Sequence, residues 1–295
     1  MTGILILDKP QGFTSFDLVA KVRRICSEKK CGHSGTLDPM ATGVMTVLLG
    51  GATKFCDLLP DHGKAYSAVF RPGTVTDTLD ITGRIISEKE VHITKEEIEN
   101  ILGCFRGEIT QIPPMYSAVS VNGRRLYDLA RQGIEVERPE RRVTVSRLEI
   151  TESFDNKEFG LYVECSSGTY IRTLISDIGE KLGCGAVMTS LRRVKANGFT
   201  IEQATSLEEL EKMSGDDISP LLIPVDRACE AYPAVTVSGA QAVRFSNGGP
   251  LSKERLNNCK VNGLYRVYSP DGVFLGIGEV TDAPDMAVKK VFIAK

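Results

Sequence analysis

The apolar runs of this chain are short, and their period changes from one run to the next. "GILIL" (3–7), "VMTVLLG" (44–50) and "FGLYVEC" (159–165) have the length and content of strands. "IRTLISDIGEKLG" (171–183) instead places Ile171, Leu174, Ile175, Ile178 and Leu182 at helical spacing, and Gly183 ends it. Strands and helices mix without a repeating βαβ unit, so the expected class is α+β rather than a doubly wound sheet. A chain of 295 residues can build one large domain and a smaller one around real cores. No apolar run reaches the ~18 residues of a spanning helix. The N-terminal "GILIL" has no basic stretch ahead of it and meets Asp8 and Lys9 at once, so it reads as a core strand rather than a signal peptide.

Further elements follow from local signals. Thr14 with Asp17, Thr94 with Glu97 and Ser206 with Glu209 each have the spacing of a capping box. The first helix should run from Thr14 to about Cys26, and Gly103 should close the second. "GHSGTLDPMATG" (32–43) reads as a loop in which Pro39 holds Asp38 out of the helical region. "GATKFCDLL" (51–59) reads as a short helix. "KAYSAVFRPG" (64–73) alternates, with Lys64, Tyr66 and Ala68 on one face. The segment 74–83 reads as a structured loop, Asn122-Gly123 as a turn before a basic helix, and 217–233 as a connector. Short strands with hairpin punctuation fill the tail.

Charge and motif content narrow the chemistry. The net charge of −2 gives no global sign of nucleic acid. Locally, Arg124, Arg125, Arg131, Arg138, Arg141, Arg142 and Arg147 stand in one segment without a lysine. Four interleaved acids allow a solvated mixed-charge face, whereas arginine-only usage suits phosphate and base stacking. The eight cysteines form no C-x-x-C pair and read as free thiols of a reducing cytoplasm. Cys26, Cys31 and His33 match no usual zinc spacing. The sequence holds no phosphate loop, dinucleotide fingerprint, H-E-x-x-H or G-x-S-x-G. No motif calls for a metal or cofactor.

Asp38 could be a turn residue, a metal ligand or a covalent nucleophile. As a nucleophile it must stay ionised, which burial opposes unless a cation lies close. Arg172 is such a cation: at the start of a helix it is misplaced unless an anion faces it. Tyr66, on its own strand, could stack on a planar ring.

"DKPQGFTSFD", "GHSGTLDPMATGV", "KAYSAVFRPGTVTDTLDITG", "PPMYSAVSVNGRRLYDLARQG", "SSGTYIRTLISDIGEKLGCGA" and "LRRVKANGF" stand in the order seen in the TruB family of tRNA pseudouridine synthases, which the chain resembles over nearly its whole length. The resemblance implies a pseudouridine synthase fold, a mixed and mostly antiparallel sheet with flanking helices, over residues 1–229. It implies an RNA-gripping insertion at about 113–143 and a small β-rich PUA-like domain over 230–295. The implied reaction turns the T-loop uridine at tRNA position 55 into pseudouridine, on a base flipped out of the loop, without cofactor or metal. Asp38 corresponds to the family nucleophile, Arg172 to its ion-pair partner, and Tyr66 to the residue that stacks on the base and is a candidate for proton transfer. His33 corresponds to a histidine that holds the opened loop. Lys64, Tyr170 and Leu191 correspond to pocket-lining positions. The expected partner is the T stem-loop of tRNA, acted on by a cytoplasmic monomer with no membrane and no obligate protein partner. Two other classes remain as rivals: a non-catalytic RNA-binding protein, and a base-releasing enzyme using Asp77 or Asp80 as a second acid.

Overall fold

The computed structural model describes residues 1–293 apart from Asn122, Asp155, Asn156, Asn258 and Lys260. The chain opens with β1 (Gly3–Lys9), α1 (Ser15–Ile25), β2 (Cys31–Ser34), β3 (Thr42–Leu49) and β4 (Lys64–Pro72). The hairpin β5 (Thr74–Thr76) and β6 (Ile85–Glu88) leads to α2 (Lys95–Leu102) and β7 (Gly107–Gln111). A small excursion, β8 (Ser120–Val121), β9 (Arg124–Arg125) and α3 (Leu126–Arg131), precedes β10 (Arg141–Phe154) and β11 (Glu158–Cys165). Then come α4 (Ile171–Lys181), β12 (Ala186–Ala196), β13 (Phe199–Thr200) and β14 (Thr205–Ser206). Helices α5 (Leu207–Lys212), α6 (Gly215–Ile218) and α7 (Val225–Ala228) lead into a last group: β15 (Ala234–Thr236), α8 (Gly239–Ser246), β16 (Leu251–Ser252), β17 (Gly263–Tyr268), β18 (Phe274–Val280) and β19 (Asp285–Val291).

Ten strands form one mixed sheet in the order β14-β1-β3-β12-β4-β11-β10-β7, with β13 on β12 and β2 on β3. Only β1 with β14 and β3 with β12 run parallel. The decisive feature is β12, which enters between β3 and β4 although those two are neighbours in sequence. Its Arg193 lies opposite Gly43 on one side and Tyr66 on the other. A glycine is required at 43: its φ is +104, and a Cβ there would sit 2.1 Å from the Arg193 carbonyl oxygen.

Burial follows the sequence pattern. Tyr66, Ala68 and Phe70 of β4 pack with Phe159, Leu161 and Val163 of β11 and the apolar stripe of α4. The opposite face of β1 and β3 forms a second core with Phe55, and Ile277 of the second sheet joins it. That five-stranded sheet, β15-β17-β18-β19-β16, keeps its own core around Phe245, Tyr265 and Val267. Rings join the two parts: Phe55, which follows β3, lies 6.1 Å from Phe274 of β18 and 5.8 Å from Phe292 between centroids. No helix among the described residues is long and apolar enough to cross a membrane.

The three capping boxes form as the sequence indicates. Several other elements differ from expectation. The segment 32–43 is not loop throughout, since Cys31–Ser34 adds to the edge of β3 by backbone pairing that its side chains do not announce. Residues Gly50–Leu58 wind as a 3-10 helix, and the three-residue spacing of Ala52, Phe55 and Leu58 stacks its buried face on that tighter turn. Gly103 stays right-handed and continues into a 3-10 turn, and the left-handed glycine is Gly107 (φ +86). The connector at 217–233 exchanges two backbone hydrogen bonds with β1, Ile4 N to Ile223 O at 2.9 Å and Ile223 N to Ile4 O at 2.8 Å. The Asn122 half of the expected Asn-Gly turn lies outside the described residues, while the flanking strands pair Val121 with Arg124.

Because Phe55 is fully buried where the two sheets meet, Phe55→Ala should lower unfolding stability by about 3–5 kcal/mol in denaturant titration. A loss below about 1 kcal/mol would show that this contact is not a core.

Candidate active site

The segment that carries Asp38 is short and pinned from both sides. Leu37 donates its N–H to the Ser15 hydroxyl at 2.8 Å, and that hydroxyl donates to the Leu37 carbonyl at 3.1 Å. Gly12 N donates to the Pro39 carbonyl at 2.8 Å, and Ala41 N closes a turn on the Asp38 carbonyl at 3.0 Å. Arg193 donates to the Gly35 and Thr36 carbonyls. Leu37 and Ala41 anchor the segment in the core. These bonds make the loop a rigid support for Asp38.

Arg172, on the first turn of α4, meets Asp38 with Nε 2.9 Å from Oδ2. Its other donors are also engaged: Nη1 with the Thr78 carbonyl at 3.0 Å and with Asp80 Oδ2 at 3.6 Å, and Nη2 with the Tyr116 carbonyl at 2.8 Å. The anion demanded by a cation at a helix start is thus supplied twice. The helix start is held by Gln111, whose side chain accepts from Tyr170 N at 3.0 Å and donates to the Tyr170 carbonyl at 3.3 Å.

Asp38, Lys64, Tyr66, Tyr170, Arg172 and Leu191 line one cavity of about 420 Å³. Ser117, Ser120 and the exposed Arg141 form part of its wall from the arginine-bearing segment. His33 does not line this cavity. It sits half-buried on β2, and its Nδ1 has no hydrogen-bond partner. Among the described residues Asp38 is the one carboxylate on the wall. Asp80 lies behind Arg172, 5% exposed, with Oδ1 accepting from Thr82 N and from the Thr78 hydroxyl. Asp77 faces Arg84 instead. The cavity therefore lacks the second free acid of a two-carboxylate hydrolase.

Electrostatics follow from burial. Removal from water pushes the Asp38 carboxyl above its ordinary value, Arg172 opposes that shift, and Asp80 adds to it. Burial also drives the Tyr66 phenol up to about 12, so this ring is neutral at ordinary pH. Lys9 is lowered to about 8 and Lys64 is lowered as well, in both cases chiefly by burial and with Arg193 contributing. One carboxylate held against a guanidinium, a neutral aromatic face and an apolar Leu191 suit a flat, electrophilic ring or sugar carbon.

Three parts of this arrangement went unread in the sequence. Asp80 stood out there only as a spare acid, whereas it is the second anion of Arg172. Arg193 stood out there only as part of the "LRRVKANGF" motif and is fully buried. Gln111 carried no signal. In the arginine-bearing segment, Arg138 pairs with Glu135 and Arg142 with Glu108, while Arg125 and Arg131 lie over the Tyr127 ring at 5.9 and 5.6 Å.

Comparison with known proteins gives a consistent result. The model described as TruB family pseudouridylate synthase (N terminal domain) matches residues 23–171. That for the tRNA pseudouridylate synthase B C-terminal domain matches 172–230, and that for pseudouridine synthase II TruB, C-terminal, matches 233–292. The tRNA pseudouridine synthase B of Salmonella typhi is 42% identical over 302 residues, covering 99% of this chain and 95% of that protein. The protein of the same name from Pseudomonas fluorescens (strain Pf0-1) is 43% identical over 295 residues, with the same coverage. Among solved structures, a Cbf5-Nop10-Gar1 complex aligns with a TM-score of 0.75 at 26% identity over 99% of this chain and 85% of that one. An H/ACA RNP bound to a substrate RNA containing 2'-deoxyuridine aligns at 0.74 and 24% identity, over 99% and 86%, which speaks for the fold. With a family model spanning half of its length and full-length relatives above 40% identity, this chain belongs to the TruB family of pseudouridylate synthases.

Proposed function

We propose that this protein isomerises the T-loop uridine at position 55 of tRNA to pseudouridine, with Asp38 as nucleophile. The observation that carries the reading is the Asp38–Arg172 ion pair at 2.9 Å on the wall of a cavity shared with Tyr66 and Leu191. The names of the full-length relatives support tRNA as the substrate. The target base leaves its stack and enters the cavity, where the Tyr66 ring replaces the lost stacking and Leu191 packs on it. Arg172 keeps the carboxylate ionised and aimed, and Asp38 attacks the flipped nucleotide. The bond between ribose C1′ and uracil N1 breaks, the base turns, C1′ joins C5 and the Asp38 carboxylate is released from the nucleotide; C5 gives up its proton and N1 gains one. Reactant and product are isomers, so the balance needs no oxidant, water or cofactor.

Tyr66 carries the stacking and is the candidate for the proton transfer. Lys64 and Tyr170 complete the pocket around the base, while His33, outside the cavity, holds the opened loop. Residues 1–229 act as the catalytic unit, the segment 113–143 grips RNA with its arginines, and 230–295 serves as a PUA-like RNA-binding module. The protein works as a cytoplasmic monomer without an obligate protein partner.

Two outcomes test the reading. With an unmodified tRNA transcript, Asp38→Asn should lower the single-turnover rate by more than about 10³-fold while tRNA is still bound, as expected for loss of a nucleophile. Pseudouridine at another position, free uracil, or undiminished product in the variant would each defeat the assignment. The rate should also fall toward acid as Asp38 takes up a proton. Because burial raises this carboxyl, the midpoint should lie above its ordinary value of 3.8. A rate that stays flat down to that value would show that Asp38 is not the ionised group required.

A further inference from the structure

Arg193 is a buried cation that the proposed reaction does not use. It is fully buried among the strands and does not line the cavity. Carbonyls surround its guanidinium: Nε donates to Val44 O at 2.7 Å, Nη1 to Thr36 O at 3.4 Å and Nη2 to Gly35 O at 3.1 Å. Nη2 also lies 3.6 Å from Met45 Sδ, and Arg193 stands opposite Tyr66 in the β12–β4 register, close enough for guanidinium and phenol to influence each other. A guanidinium desolvated in this way without a carboxylate is expensive, and a methionine or leucine would fill the space without that penalty. Packing therefore does not account for an arginine here.

Its partners suggest what does. Gly35 and Thr36 lead directly into Asp38, and Tyr66 presents the ring. The strand order puts Arg193 between them, since β12 separates β3, which the Asp38 segment enters, from β4, which carries Tyr66. One planar group with fixed donor directions thus spans both halves of the site from behind. We infer that Arg193 is a positioning residue for the isomerisation: it fixes the Tyr66 hydroxyl and the Gly35–Thr36 backbone in one frame, so that ring and carboxylate meet the same base. This rests on the functional reading above.

The charged and titratable groups around the contact are few. Cys165 of β11 and Asp38 face Tyr66 together with Arg193, while Lys9, Lys64 and His33 lie close enough to feel the Arg193 charge. Arg193 opposes the upward push of burial on the Tyr66 phenol.

Single-turnover pseudouridine formation, tRNA affinity and thermal unfolding of Arg193→Met and Arg193→Lys test the inference. Arg193→Met should slow the reaction by about 100-fold, the scale of an ångström-sized misplacement, with little change in tRNA affinity. Arg193→Lys keeps the charge but not the fork, should fold, and should recover only part of the rate. In a Tyr66→Phe background either substitution should have a smaller effect than in the wild type, because their shared contact is already gone. Equal effects in both backgrounds, or a loss of affinity matching the loss of rate, would overturn the proposal. A reporter independent of catalysis is 3,5-difluorotyrosine at position 66, whose fluorines acidify the phenol. By fluorine NMR it should titrate at higher pH in Arg193→Met, or in the equally uncharged Arg193→Gln should the former not fold. An unmoved midpoint overturns the proposal. Absence of pseudouridine with the wild-type protein defeats the functional reading instead, and the fluorine titration then decides on Arg193 alone.

Discussion

The site depends on what a single guanidinium can do from the first turn of α4. Arg172 reaches the segment of Asp38, the 78–80 stretch through the Thr78 carbonyl and Asp80, and the root of the arginine-bearing excursion through the Tyr116 carbonyl. These three pieces of chain come from distant parts of the sequence. The planar fork fixes their mutual directions, which a lysine with one ammonium point could not do. Buried and oppositely charged on two sides, Arg172 also keeps an ionised carboxylate tolerable where burial alone would favour its neutral form.

The ion pair sits within a wider balance of charge. Lys9, Lys64, Arg172 and Arg193 cluster around the Asp38 site in a chain whose net charge is −2. Among the described residues Asp38, Asp80 and, beside Lys9, Asp17 answer them, which leaves the cations in slight excess although the protein is net negative. A polyanion would be drawn to such a region, and field lines through a low-dielectric wall strengthen that attraction. The same desolvation lowers the ordinary basicity of Lys9 and Lys64. Burial thus keeps these cations close to Asp38 while restraining how many protons the site can hold.

Much of this was legible from local chemistry. Pro39 marks Asp38 as extended, the helix stripe around Ile171 and Leu174 leaves Arg172 out of place, and the alternation of 64–73 sets Tyr66 inward. Capping boxes were readable because both partners lie three residues apart. Pairings that join distant residues were not. Arg193 resembles its half-buried neighbour Arg192 in sequence, and the insertion of β12 between β3 and β4 buries it. Asp80 acquires its meaning from a residue 92 positions later. The short strand at Cys31–Ser34 has no apolar alternation, since its place comes from backbone bonds offered by the edge of β3.

The strand order explains why these hidden residues matter. In a simple meander β3 and β4 would be adjacent, and the Asp38 segment and Tyr66 would approach through a tight connection with no room for a buried cation. Inserting β12 opens that space and fills it with a strand whose own side chains then support both neighbours. Gly43 makes the insertion possible, because any side chain there would collide with the backbone of Arg193. A glycine that looks like loop punctuation in the sequence is therefore the spacing element of the sheet. The geometry of the carboxylate depends on it as directly as on the residues that touch Asp38.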